Sequence, residues 1–400
     1  MTPSNEALPP PVERYAVLNW LRHNLFQNWA SGLVTLLGLA GIYFILRALL
    51  TWALTTADWQ IIIANLKILM VGQYPFDQLW RIWACAALLG ALVGLSWGVW
   101  IRRRPGATLA VLLGPALLAL LPLDPGNRLR WVAISLLALA GYALGRRFAR
   151  RLARPVMLAW LLYMPLVLLL VRGWTADDGF APVVPSNVWG GLLLTSLIAF
   201  VGLLVSFPIG VALAVGRMSR YPLIRGFSVV YIELVRSVPL ITFFFMSQTM
   251  LPLFLPNNIT IDRVARAMTA FTLFSAAYMA ENVRGGLQAI PKGQHEAAAA
   301  LGLNSFLSLS LVILPQALRN IIPIITASAI GGFRDTSLVL IVGLLDLLGI
   351  AKATLAQPAF LGRHIEVYTF LAAVYWLISY IMSYIGQTIE SRLGVDEPRR

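Results

Sequence analysis

Residues 289–315 read AIPKGQHEAAAALGLNSFLSLSLVILP, and they form the only long polar-to-amphipathic insert in a C-terminal half otherwise built of apolar runs. Pro291 and Gly293 end whatever precedes them, and Glu296 then opens an alanine run with strong helix propensity. Gly302 is expected to bend or break that run, and the helical spacing of the later apolar residues predicts a second short helix before Pro315. We interpret the stretch as two short helices that lie on a membrane face and form a protruding surface to which a soluble partner binds. A loop without a partner is the alternative.

The composition is that of a polytopic membrane protein. Hydrophobic residues make up 59% of the 400 residues and charged residues 12%, about half the charged fraction of an average soluble domain. The net charge of +14 does not indicate nucleic acid, because the basic residues occur in short clusters between apolar runs. The single cysteine, Cys85, excludes a disulfide framework. The first 30 residues are polar and mixed, so we expect no removable signal peptide.

Ten apolar runs are candidates for membrane spans, which need about 20 residues each. They lie at about 32–54, 81–101, 107–123, 131–145, 156–172, 189–216, 227–254, 264–288, 316–346 and 366–390. Residues 55–80 are expected to form a polar-aromatic loop. The sequence therefore predicts an all-α membrane protein, a helical bundle of about ten spans.

Basic clusters fall on alternate loops between these runs. They are Arg14 and Arg22, then Arg102 to Arg104, then Arg146, Arg147, Arg150, Arg151 and Arg154, then Arg217, Arg220 and Arg225, then Lys292, then Arg392, Arg399 and Arg400. Positively charged loops stay on the cytoplasmic side. Ten spans with both termini in the cytoplasm satisfy this rule, and they also place residues 289–315 in the cytoplasm.

The chain is expected to divide near 173–187. Residues 1–30 are predicted to be a cytoplasmic tail, 31–185 an accessory transmembrane region and 186–395 a five-span core. In the accessory region Gly90, Gly94 and Gly98 repeat every four residues, which lets another helix approach closely. No group there indicates chemistry, so the region is interpreted as scaffold; its role is expected to be packing, insertion or holding a partner subunit.

Six blocks in the second half resemble the permease subunits of ATP-binding cassette importers, in particular the amino-acid branch. Glu296, Ala297, Ala298, Gly302, Val312, Leu314 and Pro315 resemble the EAA loop of that family, with Val312 where isoleucine is usual. The other blocks are Tyr231–Leu240, Ala277–Gly286, Pro291–Gln294, Leu314–Leu318 and Thr336–Leu338. The resemblance covers roughly 186–395, and the extra N-terminal spans resemble the longer permeases of systems for polar L-amino acids.

The resemblance implies a role for each matching residue of the loop and a set of partners. In the family this loop is the coupling helix that docks on the ATPase, and we expect Glu296, Ala297, Ala298 and Gly302 to do so here. Glu296 is also expected to cap its helix. The implied partners are ATPase subunits that use ATP and Mg, a second homologous permease subunit and an extracytoplasmic amino-acid-binding protein. The implied location is the bacterial inner membrane.

The ATPase itself is expected to be a different polypeptide, because the sequence contains no Gly-x-x-x-x-Gly-Lys-Ser/Thr phosphate loop. We therefore expect this chain to be a translocation subunit that binds no cofactor or metal and is not an enzyme.

Ionisable residues within the predicted spans are costly, so each is a candidate site, and two pairs share one spacing. Glu233 and Arg236 are three residues apart in the 227–254 run, and Glu281 and Arg284 repeat that spacing in the 264–288 run. Side chains at this spacing face each other on a helix and can form ion pairs. Structural pairing and contact with substrate both remain open. Pro239 is expected to bend the first of these helices.

A second charged group follows Gly331 and Gly332, which are expected to break the helix of the 316–346 run. Arg334 and Asp335 are adjacent and must serve different partners, with Thr336 and Ser337 beside them. An unwound segment that offers both charges suits a zwitterionic amino acid; locking of two permease halves is the alternative. The family usually has lysine in place of Arg334.

Two rival functions come from other classes. A secondary transporter driven by an ion gradient would need acidic groups near mid-membrane and no docking loop. A membrane-embedded enzyme would need a cluster of histidine or acidic side chains, whereas His23, His295 and His364 lie in three different loops.

Overall fold

The computed structural model of the protein describes residues 21, 23–101, 105–120, 124–176, 179–256 and 259–394. Within these ranges the chain is helical, and its extended segments form only isolated bridges. In chain order the helices are α1 Trp29–Thr51, α2 Gln60–Val71, α3 Leu79–Trp100, α4 Pro105–Leu118, α5 Pro125–Arg147, α6 Ala149–Arg172, α7 Gly191–Arg217, α8 Pro222–Ser237, α9 Leu240–Phe245, α10 Arg263–Gln288, α11 Lys292–Ala300, α12 Ser305–Leu307, α13 Leu314–Asn320, α14 Ile322–Asp335, α15 Leu347–Leu355 and α16 His364–Leu393. The predicted all-α membrane fold is confirmed.

The expected count of about ten spans is not confirmed. Seven helices in the described part of the chain are long and apolar enough to cross a membrane, or eight if α8 and α9 count as one bent span. The run at 107–123 contains α4, which is 14 residues long. The run at 264–288 is the 26-residue α10, which carries Arg263, Arg266, Glu281 and Arg284 and is not among the helices apolar enough to span a membrane. Length and charge therefore separate these two helices from the other candidates.

The bend expected at Pro239 is confirmed. Helix α8 ends at Ser237, Pro239 is the N-cap residue of α9, and the axes before and after this break differ by 103°. Proline cannot donate the backbone hydrogen bond that would continue the helix. The 227–254 run is therefore a broken span rather than a straight one.

The expectation of a loop at 55–80 is wrong. Helix α2 occupies Gln60–Val71, and its Ile61 and Leu69 side chains are fully buried. It packs against α7, α15 and α16. A 12-residue helix has little stability of its own, and these long-range contacts, which local composition does not reveal, hold it in place.

The chain forms two compact units, one ending at Trp59 and one beginning at Gln60. In the first unit, α1 starts with a capping box in which Asn28 and Ser31 bond each other's backbone N–H groups. Its apolar side chains are almost all exposed, as expected for a helix that meets lipid.

Helices α3 and α5 pack closely in the second unit through the predicted glycine stripe. A Cβ atom added at Gly94 would lie 2.0 Å from the Ala138 carbonyl oxygen, and one at Gly98 would lie 2.4 Å from that of Tyr142. The absence of side chains lets the two backbones touch. The close approach predicted from the spacing of these glycines is confirmed.

The second unit contains two buried apolar clusters that set the position of the candidate site. One joins α7 and α10, and it includes Val71 and Val171 of the N-terminal half. The other lies at the opposite ends of α7 and α10 and includes Ile290 and Ile313. The predicted division near 186 thus crosses a shared apolar core, and it stays a prediction.

Candidate functional site

The predicted bend in the 289–315 stretch has a specific backbone geometry. Helix α11 ends at Ala300, and Gly302 adopts a left-handed φ of 74°. The Gly302 N–H donates to the Ala299 carbonyl at 2.9 Å, and the Leu303 N–H donates to the Ala298 carbonyl at 3.1 Å. This pair of bonds is a Schellman motif, for which glycine is preferred because it has no Cβ. The helix break expected at Gly302 is confirmed.

The four predicted docking residues do not share one surface. Glu296, Ala297 and Gly302 are exposed, whereas Ala298 is only 2% exposed and seats α11 on its own chain. The predicted capping role of Glu296 is wrong, because α11 begins at Lys292 and Pro291 is its N-cap residue. Glu296 therefore lies beyond the first turn, on the side of α11 that faces away from the protein.

The second half of the stretch is longer than expected and does not end at Pro315. Asn304 caps α12 by accepting from the Leu307 N–H at 2.9 Å, and a π-helical turn, Ser308–Ile313, leads directly into α13. Gln294 and Gln316, from two separate family-like blocks, are joined by a side-chain hydrogen bond of 3.0 Å. This bond ties the start of α11 to α13.

Five charged side chains meet where α7 and α10 approach α8. Arg217, the last residue of α7, lies 2.9 Å from the Glu233 carboxylate and 3.6 Å from that of Glu281. Arg236 lies 3.7 Å from the same Glu281 oxygen. Arg284 donates to Glu281 through Nε at 3.0 Å and completes the group. Because the group holds three arginines and two glutamates, its formal charge is positive.

The predicted pairing within each helix is half right. Glu281 and Arg284 form the expected pair on α10, but the pairing expected between Glu233 and Arg236 on α8 is wrong. Each of those two side chains instead bonds a residue of another helix. The sequence places Arg217 only in a basic cluster of an inner loop. Each of the two blocks holds one glutamate and one arginine, so their composition gives no signal that Arg217 takes part.

The Arg334 region is ordered differently from the broken helix expected. Helix α14 continues through Gly331 and Gly332, so the predicted break there is wrong; it changes to a 3-10 helix, Thr336–Val342, after Asp335. A Cβ atom at Gly332 would lie 3.1 Å from the Phe271 ring, which indicates that this glycine serves helix packing.

The polar side chains of this segment point in different directions. Arg334 and Asp335 are exposed, Ser337 is half-buried, and Thr336 is buried with its hydroxyl donating to the Phe333 carbonyl at 2.7 Å. Arg334 donates through Nε to the Ser379 hydroxyl of α16 at 3.3 Å. Arg334 and Asp335 are therefore open to a partner or ligand, whereas Thr336 is not.

A buried carboxyl group, missed by the sequence analysis, lies just beyond the 3-10 helix. Asp346 is fully buried, and its Oδ1 caps α15 by accepting from the Gly349 N–H at 2.9 Å. Burial raises the pKa of this carboxyl group to about 6. Asp346 thus combines a structural cap with a titration close to neutral pH.

A cavity of about 450 Å³ lies at the ends of α7 and α10 that are remote from α11. Its wall consists of Gly72 and Gln73, residues 186–190, 260–264 and 343–345, and Ile350. Within the described residues, no group of three or more His, Cys, Asp or Glu side chains is placed to hold a metal ion.

Comparison with known proteins identifies the family. Residues 206–395 match the model of the binding-protein-dependent transport system inner membrane component. The inner membrane amino-acid ABC transporter permease protein YhdY of Escherichia coli K12 is 37% identical over 392 residues, which cover 94% of this chain and 92% of YhdY. The glutamate/glutamine/aspartate/asparagine transport system permease protein BztC of Rhodobacter capsulatus is 33% identical over 97% of this chain and 96% of its own.

Among solved structures, an amino acid ABC transporter with histidines is 29% identical and covers 50% of this chain and 92% of its own, with a TM-score of 0.46. The relatives give no support to a transporter driven by an ion gradient. They are permeases, not ATPases, and the sequence of this chain contains no phosphate loop. The chain therefore belongs to the family of binding-protein-dependent inner membrane transport components, the translocation subunits of ATP-binding cassette importers.

Proposed function

We propose that this chain forms the pathway of an importer that moves polar L-amino acids into the cytoplasm by alternating access. It works with a second homologous permease subunit, with ATPase subunits that use ATP and Mg, and with an extracytoplasmic amino-acid-binding protein. The names of the full-length relatives YhdY and BztC support an amino-acid substrate. The basic clusters on alternate loops support a topology with both termini in the cytoplasm.

The observation that carries this proposal is the shape of α11 and its cap. Helix α11 exposes Glu296 and Ala297, while Ala298 anchors it to the chain below. The large apolar side chains beside the cap, Leu301 and Phe306, are 79% and 74% exposed. An exposed apolar patch with a polar rim is typical of a binding surface. We assign this surface to the ATPase. Ala298 packs α11 against its own chain and does not contact the ATPase.

The substrate pathway is assigned to the exposed charges of the core. Arg334 and Asp335 can meet the carboxylate and the ammonium group of an amino acid, since neither makes an ion pair within the described residues. Ser337 is a weaker candidate, and the burial of Thr336 argues against direct contact. Arg217 pairs with Glu233 and Glu281, and Glu281 also pairs with Arg236 and Arg284, which supports a structural or gating role for these residues over substrate contact.

The binding protein is assigned to the side of the cavity. That cavity lies at the ends of α7 and α10 opposite to α11. A substrate that enters at the cavity and leaves near the ATPase would cross the membrane between these two ends. The N-terminal half contributes Gly72 and Gln73 to its wall. The predicted accessory region is thereby linked to the entrance.

The experiment is ATP-driven uptake by the complex reconstituted in vesicles, with labelled glutamate, glutamine or aspartate outside and ATP at the ATPase side. Gly302→Val should abolish uptake and ATPase binding, because a β-branched residue does not tolerate a φ of 74°. Gly302→Asn is the matched control: asparagine accepts the left-handed conformation and should retain much of the activity. Wild-type uptake by Gly302→Val, or ATP-independent uptake by the wild type, would contradict the proposal.

A further inference from the structure

Arg217 occupies the centre of the five-residue charge group and joins three helices. It is the last residue of α7, it lies 2.9 Å from Glu233 of α8, and it lies 3.6 Å from Glu281 of α10. Neighbouring packing brings the same helices together, since a Cβ atom at Gly216 would lie 2.3 Å from the Ser228 hydroxyl of α8. The end of α7 is thus held against both other helices, and Arg217 supplies the charge that bridges the two acids.

The hydrogen bonding of the Glu281 carboxylate is incomplete. Its Oε1 accepts from Arg284, but its Oε2 is buried, accepts no hydrogen bond, and lies 3.6 Å from Arg217 and 3.7 Å from Arg236. The Arg217 Nη1 group is likewise buried without an acceptor. Since hydrogen bonds form at about 2.7–3.2 Å, a shift of less than about 1 Å would let Oε2 bond one arginine and move away from the other. Two arrangements close to the observed one would therefore each give Oε2 a hydrogen-bond donor.

The docking helix is connected to this group by a short path. Arg284 donates to the Gln288 side chain at 2.7 Å, and Gln288 is the last residue of α10. Only residues 289–291 separate it from α11, and Ile290 in that turn is buried in the same apolar cluster as Val283. Because this connection is short and Ile290 is buried, we expect a displacement of α11 to move α10 and Glu281 with it.

We propose that Arg217 is a positioning residue of the transport cycle, which passes movement of the ATPase-docking helix α11 from Glu281 on α10 to Glu233 on the broken span. In the observed arrangement Arg217 holds Glu233. When α10 moves, Glu281 Oε2 bonds Arg217 or Arg236, and α8 is repositioned beside the pathway. This proposal rests on the proposed docking of an ATPase on α11.

A merely structural role for Arg217 makes a different prediction. Its side chain is 25% exposed and that of Glu233 is 56% exposed, and ion pairs of such exposure contribute little to stability. Loss of Arg217 should then change neither stability nor transport. A coupling role instead predicts nearly unchanged stability with transport uncoupled from ATP hydrolysis.

The test measures ATP hydrolysis and amino-acid uptake together, with the complete complex in vesicles. Arg217→Gln should lower uptake per ATP hydrolysed by at least about fivefold, the scale of typical coupling energies, while the melting temperature changes by less than about 2 °C. Arg217→Lys should be intermediate, because one ammonium group keeps the charge but cannot hold both carboxylates in the same way. The Lys variant also provides a readout if the Gln variant assembles poorly.

Two further variants make the test specific. Arg220→Gln is the matched control, since Arg220 is exposed three residues further along and should leave the coupling ratio unchanged. Arg217→Gln combined with Glu233→Gln should be no worse than either change alone, because both break the same link. A coupling ratio in Arg217→Gln within twofold of the wild type, or losses that multiply in the double variant, would overturn the assignment. Failure of ATP to drive uptake by the wild-type complex would instead overturn the proposed function, and this proposal with it.

Discussion

Helices α3 and α5 in the N-terminal half meet through glycine, whereas α7, α8 and α10 in the C-terminal half add a group of charged side chains to their apolar contacts. In the first contact, Gly94 brings its backbone against Ala138 with no room for a Cβ atom. In the second, Arg217 reaches two glutamates on two other helices, and its contact with Glu281 Oε2 is not a hydrogen bond. Both contacts lie in the same compact unit.

The two contacts differ in how far they can be rearranged. Backbones in direct contact cannot shift without opening a void or a clash, because packed interiors tolerate little change of volume. Long charged side chains can exchange partners within about 1 Å, as we propose for Arg217, so such a contact permits a shift that packed backbones do not. The comparison indicates a rigid scaffold in the N-terminal half and a movable junction in the core.

The largest effect on stability is expected at the glycine contact. Gly94→Ala places a Cβ atom 2.0 Å from a backbone oxygen, so α3 and α5 must separate, at a cost on the order of 1–3 kcal/mol. Gly114→Ala is the matched control, because a Cβ atom there meets nothing within 4 Å. Thermal unfolding of the purified protein should show a lower midpoint for the first variant and an equal or higher one for the second. Equal midpoints would mean that the close contact is not required.

An effect that depends on pH is expected at Asp346. Its pKa is raised by burial to about 6, so the folded state binds the proton more tightly than the unfolded state does. The stabilisation that results is complete below about pH 4 and is lost as pH rises through about 6, by up to about 1.4 kcal/mol for each unit of pKa change. The melting temperature of the wild type should therefore fall between pH 4 and pH 7.

Substitution of Asp346 separates the titration from the cap. Asp346→Asn keeps a good N-cap residue for α15 and removes the titrating group, so the fall with pH should disappear. Asp346→Ala should remove the cap as well, so its midpoint should lie below that of Asp346→Asn by a similar amount at every pH. A pH profile of Asp346→Asn that matches the wild type would assign the titration to another group.

The smallest effect on stability is expected at Arg334, where the effect on transport should be large. Arg334→Gln breaks one 3.3 Å hydrogen bond to Ser379, which contributes about 1 kcal/mol or less, but it removes the exposed charge proposed to meet the substrate carboxylate. Uptake should fall at least tenfold with the ATPase still bound. Ser379→Ala removes the same bond and keeps the charge, so its uptake should stay near that of the wild type. Equal losses in the two variants would point to positioning of α14 instead of substrate contact.

Features set by neighbouring residues could be predicted from the sequence. The apolar runs, the turn at Gly302, the break at Pro239 and the face shared by Gly90, Gly94 and Gly98 each depend on a few adjacent positions. Hydropathy, left-handed backbone geometry and the missing N–H of proline act over one or two turns of helix. The ordered family-like blocks led to the correct family for the same reason, since they are local strings.

Features set by distant residues could not be predicted in this way. Helix α2 forms against α7, α15 and α16. Glu233 forms an ion pair with Arg217 and not with Arg236, and α14 continues through Gly331 and Gly332. In each case the outcome depends on which groups other helices place nearby, and an ion pair or a short helix has too little energy of its own to decide it. Short-range chemistry was enough for the long apolar helices and for the breaks at Pro239 and Gly302; helix α2, the partners of each charge and the buried position of Asp346 followed from how those helices are packed.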